Sequence, residues 1–318
     1  MYFEIYTTFL LLLFCCIVLT LLDLAVAGVF AWLSDISFRN VFLKGLFSLL
    51  IPVALMLYGM FIGRNWYQVR KVDIEPEALP ESFEGFRIAQ ISDIHLRSFS
   101  RRRKSLARAI ARINGTSPDI VCFTGDLISL DVEELNGFEE ILSGIEAPVY
   151  CVLGNHDYHI YGRPDSTREE GVEELKHREL SLGWHLLNNG NEIIARGSDS
   201  LAVIGVENTS TGARFPSRGD LRGAMSGTDG CFRILLSHDP THWDAEVRGK
   251  DIPLMLSGHT HTMQFSIFGW SPSRYLYRQY RGLYRDGEQF LYVNIGLGET
   301  MFPFRLGARP EITLITLK

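Results

Sequence analysis

The chain has 318 residues, a formal net charge of -6, 46% hydrophobic and 21% charged residues. That composition rules out wholesale disorder, and the acidic balance argues against a general nucleic-acid binder, which carries a basic surface. The 5 cysteines are irregularly spaced, which speaks against a disulfide framework and against a thiolate zinc site.

The apolar residues are concentrated near the N-terminus. Thr8 to Leu33 contains one charge, Asp23, and Gly45 to Gly63 contains none. Roughly 20 apolar residues cross the hydrocarbon core of a bilayer, so both runs are long enough. Pro52 lies inside the second run, where a membrane helix tolerates it. The sequence therefore predicts a membrane anchor over 1–66 with transmembrane helices at about 8–33 and 45–63, and a multi-pass location in the cell membrane. A buried core helix is the plain alternative, but neither run has an amphipathic partner nearby. A cleaved signal peptide is the rival for the first run, because Ala25-Val26-Ala27 resembles a cleavage site. No Lys or Arg precedes that run, however, and Glu4 does. Arg39 and Lys44 lie between the helices, against Arg64, Arg70 and Lys71 after them. This narrow margin favours a cytoplasmic catalytic domain.

A linker is expected over 67–85 and a single α/β domain over 86–318. Phe86 to Ser92 reads as a buried strand. Lys104 to Ile113 has helical spacing and stops at Gly115. Ile120 to Thr124 and Val149 to Leu153 read as further buried strands, with a helix over Val132 to Ile145 between them. Strand–helix–strand at this spacing predicts parallel strands joined by right-handed crossovers. Leu201 to Val206, Phe232 to Leu236, Leu254 to Leu256, Phe290 to Asn294 and Glu311 to Leu317 are also read as strands. Asn208 to Gly230, rich in Gly, Ser, Thr and Arg, is expected to be a long mobile surface loop.

Five of these strands end in polar clusters: Asp93-Ile94-His95, Gly125-Asp126, Gly154-Asn155-His156-Asp157, Ser237-His238 and Gly258-His259-Thr260-His261. In open α/β sheets, ligands bind beyond the carboxyl ends of strands, so five loops would converge on one place. Carboxylate, amide and imidazole donors without thiolate suit Mn, Fe, Zn or Co. In Asp93-x-His95 and His259-x-His261, alternate side chains of an extended turn would point the same way. Asp126 could bridge two cations with its two oxygens, and the neighbouring glycines would permit close backbone approach. Two cations about 3.5–4 Å apart can share a hydroxide and polarise a phosphoryl oxygen.

These five blocks, in this order from about Phe86 to the C-terminus, resemble the calcineurin-like metallophosphoesterases, and within them the membrane-anchored bacterial type. The resemblance implies two mixed β-sheets sandwiched between helices. It implies that Asp93, His95, Asp126 and His261 hold one metal ion, and that Asp126, Asn155, His238 and His259 hold the other. Asn155 and His156 would bind substrate, His156 would protonate or stabilise the leaving oxygen, and Asp157 would orient His156. A metal-bridging hydroxide would attack a phosphomonoester or phosphodiester, with Mn, Fe or Zn as cofactor. Ser129 stands where purple acid phosphatases have a tyrosine ligand, which disfavours an Fe(III)–tyrosinate centre.

Two other readings compete. One is a pyrophosphate hydrolase acting on a nucleotide-linked acylated sugar, although some such hydrolases carry Arg where His156 stands. The other is a non-catalytic metal-binding scaffold at the membrane. The partners expected are a phosphate ester, which could be lipid-linked, and the membrane. His159, His177, His185 and His242 match no block and are read as structural or surface residues, and Cys122 and Cys151 as buried free thiols. Arg101 to Lys104 reads as a solvated helix start, or as a contact for anionic lipid or a phosphorylated substrate. Trp270 to Tyr284 interleaves aromatic residues with Arg274, Arg278 and Arg281, either as an aromatic hairpin or as a lid or interfacial belt beside the site.

Overall fold

The computed structural model describes residues 2–318. Two apolar helical runs come first. Helix α1 spans Tyr2–Leu33. After a turn at 34–37, the chain returns through α2 (Phe38–Gly45), a 3-10 turn (Leu46–Leu49) and α3 (Leu50–Phe61). Tyr6–Leu33 and Phe38–Asn65 are each 28 residues long and apolar enough to cross a membrane. The second run starts earlier than the expected 45, because the amphipathic α2 continues into it. Pro52 falls in the first turn of α3, where a missing N–H costs least. Asp23, the one charge in the first run, accepts a hydrogen bond from Ser48 Oγ at 2.8 Å across the hairpin. That contact satisfies a polar group that hydrocarbon would leave unpaired.

The remainder is two packed sheets. The first contains β1 (Gln68–Ile74), β2 (Arg87–Ile91), β3 (Ile120–Phe123), β4 (Val149–Cys151) and β5 (His185–Leu186). The second contains β6 (Gly190–Arg196), β7 (Asp199–Gly205), β8 (Phe232–Leu236), β9 (Leu254–Ser257), β10 (Gly282–Asp286) and β11 (Gln289–Val293). The last strand, β12 (Glu311–Leu317), returns to the first sheet. The strand orders are β1-β12-β2-β3-β4-β5 and β10-β11-β9-β8-β7-β6. β2, β3 and β4 are parallel, as expected, while β12 runs antiparallel to β2. One core lies between the sheets, where Ile88, Cys122 and Val152 meet Val203, Ile234 and Leu256. A second lies between the first sheet and α4 (Arg103–Asn114), α5 (Glu139–Leu142) and α6 (Asp165–Ser181), and a third covers the far face of the second sheet. Strands buried on both faces read as continuous apolar runs, which is why the central ones are visible in the sequence.

Three expectations are corrected. The 67–85 linker contains β1, whose seven residues pair in parallel with β12 from Gln68↔Glu311 to Ile74↔Leu317. It is an edge strand with most residues exposed, so it lacks the apolar signature. The helix expected over 132–145 is broken into a 3-10 turn (Val132–Leu135) and α5, because Gly137 between them has φ 76°. The first piece carries a capping box between Asp131 and Glu134. The 208–230 loop contains a short helix, α7 (Leu221–Ala224), capped by Asp220.

Both ends of the helical hairpin meet the domain. Thr7 Oγ1 donates to Met301 O at 3.1 Å, Arg305 N donates to Gly59 O at 3.2 Å, and Arg64 Nη1 donates to Pro303 O at 3.2 Å. Glu299 forms the clamp, with its buried carboxylate 2.9 Å from Arg64 Nε and 2.8 Å from Arg102 Nη2. Arg102, from the basic run at 101–104, is therefore committed to an ion pair within the protein. Removing one partner of a buried ion pair costs about 3–5 kcal/mol. Glu299→Ala is expected to destabilise the detergent-solubilised chain by an amount in that range, measured by thermal or denaturant unfolding.

Candidate metal centre

Sharp turns after five strands build the site. Asp93 and His95 follow β2, Asp126 follows β3, Asn155 follows β4, His238 follows β8, and His259 and His261 follow β9. The extended turn expected for Asp93-x-His95 and His259-x-His261 is replaced by left-handed backbone. Asp93 (φ 49°), His95 (46°), Asp126 (60°), His259 (73°) and His261 (48°) all have positive φ. Residues other than glycine hold such conformations, at about 1–3 kcal/mol each, only where the surroundings impose them. Here the loops fasten one another: Asp93 N donates to Gly125 O at 2.9 Å, and His95 N donates to Asp126 O at 3.1 Å. His156 N donates to Asp126 Oδ1 at 2.8 Å, and His259 N donates to Asp93 Oδ2 at 3.0 Å. The approach is close enough to demand glycine. A Cβ on Gly154 would strike Asp126 Oδ1 and its amide, and one on Gly258 would strike Ser92 Oγ and Asp93 Oδ2.

All seven expected ligands come together. His261 Nε2 lies 3.2 Å from Asp93 Oδ1 and 3.1 Å from His95 Nε2. Asn155 Oδ1 lies 2.7 Å from His259 Nδ1 and 3.2 Å from His238 Nε2. Asp126 Oδ2 sits between the two groups, 3.6 Å from His95 Nε2 and 3.3 Å from His238 Nε2. Main-chain carbonyls set the ring orientations of His95 and His238, and a side chain sets that of His259. His95 Nδ1 faces Ile128 O at 3.2 Å and His238 Nδ1 faces Thr124 O at 2.7 Å, so each Nδ1–H donates outward and each Nε2 turns inward. His259 is reversed, with Nε2 2.9 Å from Tyr277 Oη and Nδ1 inward.

The site calls for positive charge. Burial opposes the charged form of Asp93, yet the facing His261 holds its carboxyl below the usual range. Burial likewise opposes ionised Asp126, and His238 outweighs it. His238 is itself buried, but the Asp126 carboxylate pushes it up to about 10. Two buried carboxylates amid converging imidazole and amide donors, with no thiolate, fit hard-to-borderline divalent cations.

His156 lies beside this set. Its ring meets His95 edge-on at 4.7 Å and packs against Tyr161 at 4.5 Å. Its Nδ1 donates to Ser129 O at 2.7 Å. The orienting role expected of Asp157 is not seen. The Asp157 carboxylate accepts from Asp126 N and Gly154 N, each at 2.8 Å, and from Ile128 N at 3.2 Å. It ties the two loops together, and the Ser129 carbonyl orients His156. Burial, and then the Asp126 charge, push the Asp157 carboxyl up to about 7.

Tyr277, Tyr161, Phe215 and Arg305 complete the surroundings. Phe215, within the stretch expected to be a surface loop, meets His259 edge-on at 5.1 Å. The fully buried Arg305 donates to backbone carbonyls, among them Ile295 O at 3.0 Å, and places Nη2 3.3 Å from His261 Nδ1. No spacing in the sequence marks Phe215 or Arg305, whereas Tyr277 lies in the aromatic stretch after Gly258. His159 and His242 are structural, as expected. His159 Nε2 accepts from Val132 N at 3.1 Å, and His242 lies between Ser237 and Glu246.

Residues 86–263 match the family model described as Calcineurin-like phosphoesterase. The chain belongs to that family. This phosphoesterase is 32% identical over 295 residues to "Uncharacterized metallophosphoesterase YkuE" of Bacillus subtilis, covering 88% of this chain and 97% of the relative. It is 34% identical over 294 residues to a "Transmembrane protein with metallophosphoesterase domain" of Danio rerio, covering 89% of this chain but 63% of that longer protein. It is 27% identical over 315 residues to "UDP-2,3-diacylglucosamine pyrophosphatase LpxG" of Chlamydia muridarum, covering 83% and 93%. The protein is thus a metal-dependent phosphoesterase of a family that uses a dinuclear metal centre.

Gly154→Ala is expected to lower bound metal well below that of the parent and to destabilise the domain by about 1–3 kcal/mol through overpacking. Metal analysis and thermal unfolding check both. Glu179 is fully buried below the site, and burial, reinforced by Asp157, holds its carboxyl well above the usual range. Folding therefore takes up a proton there once pH exceeds the ordinary value of 4.5. Glu179→Gln removes that cost. Its melting temperature should match the parent in acid and exceed it progressively as pH rises toward neutrality.

Proposed function

We propose that the chain is a membrane-anchored phosphohydrolase whose dinuclear centre cleaves phosphomonoesters or phosphodiesters at the membrane surface. The observation that carries this reading is the convergence of the nitrogen and oxygen donors of six other residues, Asp93, His95, Asn155, His238, His259 and His261, about the Asp126 carboxylate. In this reading the anchor is 1–66 and the catalytic domain begins at 67, since β1 belongs to the first sheet. Both helical runs cross the bilayer, with Tyr2 and the domain on one side and the turn at 34–37 on the other.

Asp93, His95, Asp126 and His261 would hold one divalent cation, and Asp126, Asn155, His238 and His259 the other. Two such cations supply Lewis acidity toward a phosphoryl oxygen and make water a nucleophile at neutral pH. The protein's own groups do the rest. The Ser129 carbonyl accepts the Nδ1–H of His156 and leaves Nε2 to meet a phosphoryl or leaving-group oxygen, to which the doubly protonated ring would give its Nε2 proton and return to the neutral Nδ1–H form. Asp157 keeps the Asp126 and Asn155 loops in register. Tyr161, Phe215 and Tyr277 shape the approach.

The substrate is proposed to be amphipathic, because the site lies at the sheet end that faces the anchor. β12 pairs Thr313 with Gln90, so Glu311 and its partner Gln68 stand level with the end of β2, just before Asp93. Gln68 is the third residue after the second helical run. A pyrophosphate bond in a nucleotide-linked acylated sugar is the second reading, favoured by the likeness to the chlamydial pyrophosphatase.

With Mn or Zn, the solubilised full chain is expected to hydrolyse bis(p-nitrophenyl) phosphate. Asp126→Asn should abolish turnover and reduce bound metal without unfolding the domain. His156→Asn should keep its metal and lose about 10²–10⁴ in kcat, the usual contribution of a positioned proton donor. Full activity in Asp126→Asn would overturn the assignment. A panel of UDP-linked acylated sugar, phospholipid and soluble nucleotide separates the two substrate readings.

A further inference from the structure

A basic cavity opens near the same end of the sheets, apart from the metal donors. It has a volume of about 290 Å³, and its wall includes Gln68, Arg70, Phe268, Arg281, Arg309 and Glu311. Three guanidinium groups face one carboxylate. Arg70 Nη1 is 3.9 Å from Glu311 Oε2, Arg281 Nη1 donates to Ser266 Oγ at 3.0 Å, and Arg309 Nη2 donates to Gln68 Oε1 at 3.3 Å. Arg309 also lies 4.8 Å over the Trp66 ring. Glu311 is further occupied by Tyr292 Oη at 2.8 Å, Thr313 Oγ1 at 3.0 Å and Gln68 Nε2 at 3.1 Å. The cavity therefore holds surplus positive charge, and each guanidinium has five N–H donors, of which few are used inside the protein.

The rim of the cavity is apolar and exposed. Phe268 is fully exposed, and Met263, Ile267 and Trp270 of the same loop present large apolar surfaces. Backbone hydrogen bonds tie this loop to the segment that touches the anchor: Leu306 N donates to Gln264 O at 3.0 Å, and Ser266 N donates to Leu306 O at 2.8 Å. In that segment Met301 O accepts from Thr7, and the Phe304 ring is so close to Gly59 that a Cβ there would strike it. Met301 is exposed too. The apolar side chains and the arginines thus lie on the face from which both helices leave the domain.

We propose that this cavity binds the phosphate of an anionic phospholipid head group in the leaflet next to the domain, with Ile267 and Phe268 entering its acyl region. The inference rests on the reading of the two helices as membrane-spanning. A guanidinium binds two phosphate oxygens in a bidentate manner, an exposed Trp such as Trp270 favours the membrane interface, and a cavity of about 290 Å³ has room for a phosphate group. Occupancy would press the domain onto the bilayer and fix how the metal centre meets a substrate carried in the membrane.

The test is native mass spectrometry of the full chain in neutral detergent, with separate additions of phosphatidylglycerol, phosphatidylcholine and inorganic phosphate. The parent should retain phosphatidylglycerol in preference to phosphatidylcholine. Arg70→Ala, Arg281→Ala and Arg309→Ala combined should weaken retention by about a hundredfold, the product of three membrane-surface charges. Arg281→Gln alone, a milder change, should weaken it about fivefold, and Phe268→Ser should weaken lipid but leave any phosphate adduct unchanged. Unaltered phosphatidylglycerol retention in the combined variant and in Arg281→Gln would overturn the proposal, as would displacement of the lipid by millimolar phosphate. A separate arm tests the anchor. If the chain reconstituted in vesicles is stripped by alkaline carbonate, the membrane-spanning reading fails. If it stays in the vesicles while the variants bind lipid like the parent, only the head-group site fails.

Discussion

The structure around the centre depends on the Asp126 carboxylate being buried among imidazoles. One oxygen accepts the amide of His156, while the other lies between His95 and His238. Its backbone amide is held by Asp157, and its carbonyl accepts the amide of His95. A carboxylate out of water needs compensating charge and hydrogen bonds. That demand draws three loops to one residue and makes the site a place for cations. The left-handed backbone at five donor residues is part of the same cost, and the surrounding hydrogen bonds sustain it.

Strand register then sets where this chemistry is presented. The chain leaves the second apolar run and enters β1 within three residues, and β1 pairs in parallel with β12 from its first residue. Because β12 is antiparallel to β2, the start of β1 and the end of β2 share one end of the sheet. The apolar hairpin, the Arg64–Glu299–Arg102 clamp and the turns that carry the donors are consequently neighbours. Contacts of Thr7, Gly59 and Arg64 with the 301–305 segment hold the hairpin in a fixed relation to the domain.

Legibility in the sequence followed burial. The eight interior strands β2, β3, β4, β7, β8, β9, β11 and β12 are all marked by apolar runs. The four strands at sheet edges, β1, β5, β6 and β10, are not. Val69-Arg70-Lys71-Val72 and Glu192-Ile193-Ile194-Ala195-Arg196 carry the charges that edges need against aggregation, and those charges erase the signal. Helix α6 escaped for a related reason, since few of its seventeen residues are buried. The seven donors were legible because each sits in a short block at the end of an interior strand. The orienting partner of His156 was not, because it is the main-chain carbonyl of Ser129, an atom that every residue type possesses.

The sequence by itself determined the inventory: two apolar runs of membrane length, the central strands, and the carboxylate, amide and imidazole donors in family order. These are properties of residue type and local spacing, and they are fixed along the chain. Tertiary structure alone decided that Asp157 braces two loops instead of holding His156, that Arg305 lies against His261, and that a basic cavity with an apolar rim opens beside the apolar hairpin. Those depend on contacts between residues tens to hundreds of positions apart, whose meeting is set by strand register and close packing and leaves no periodic trace in the sequence.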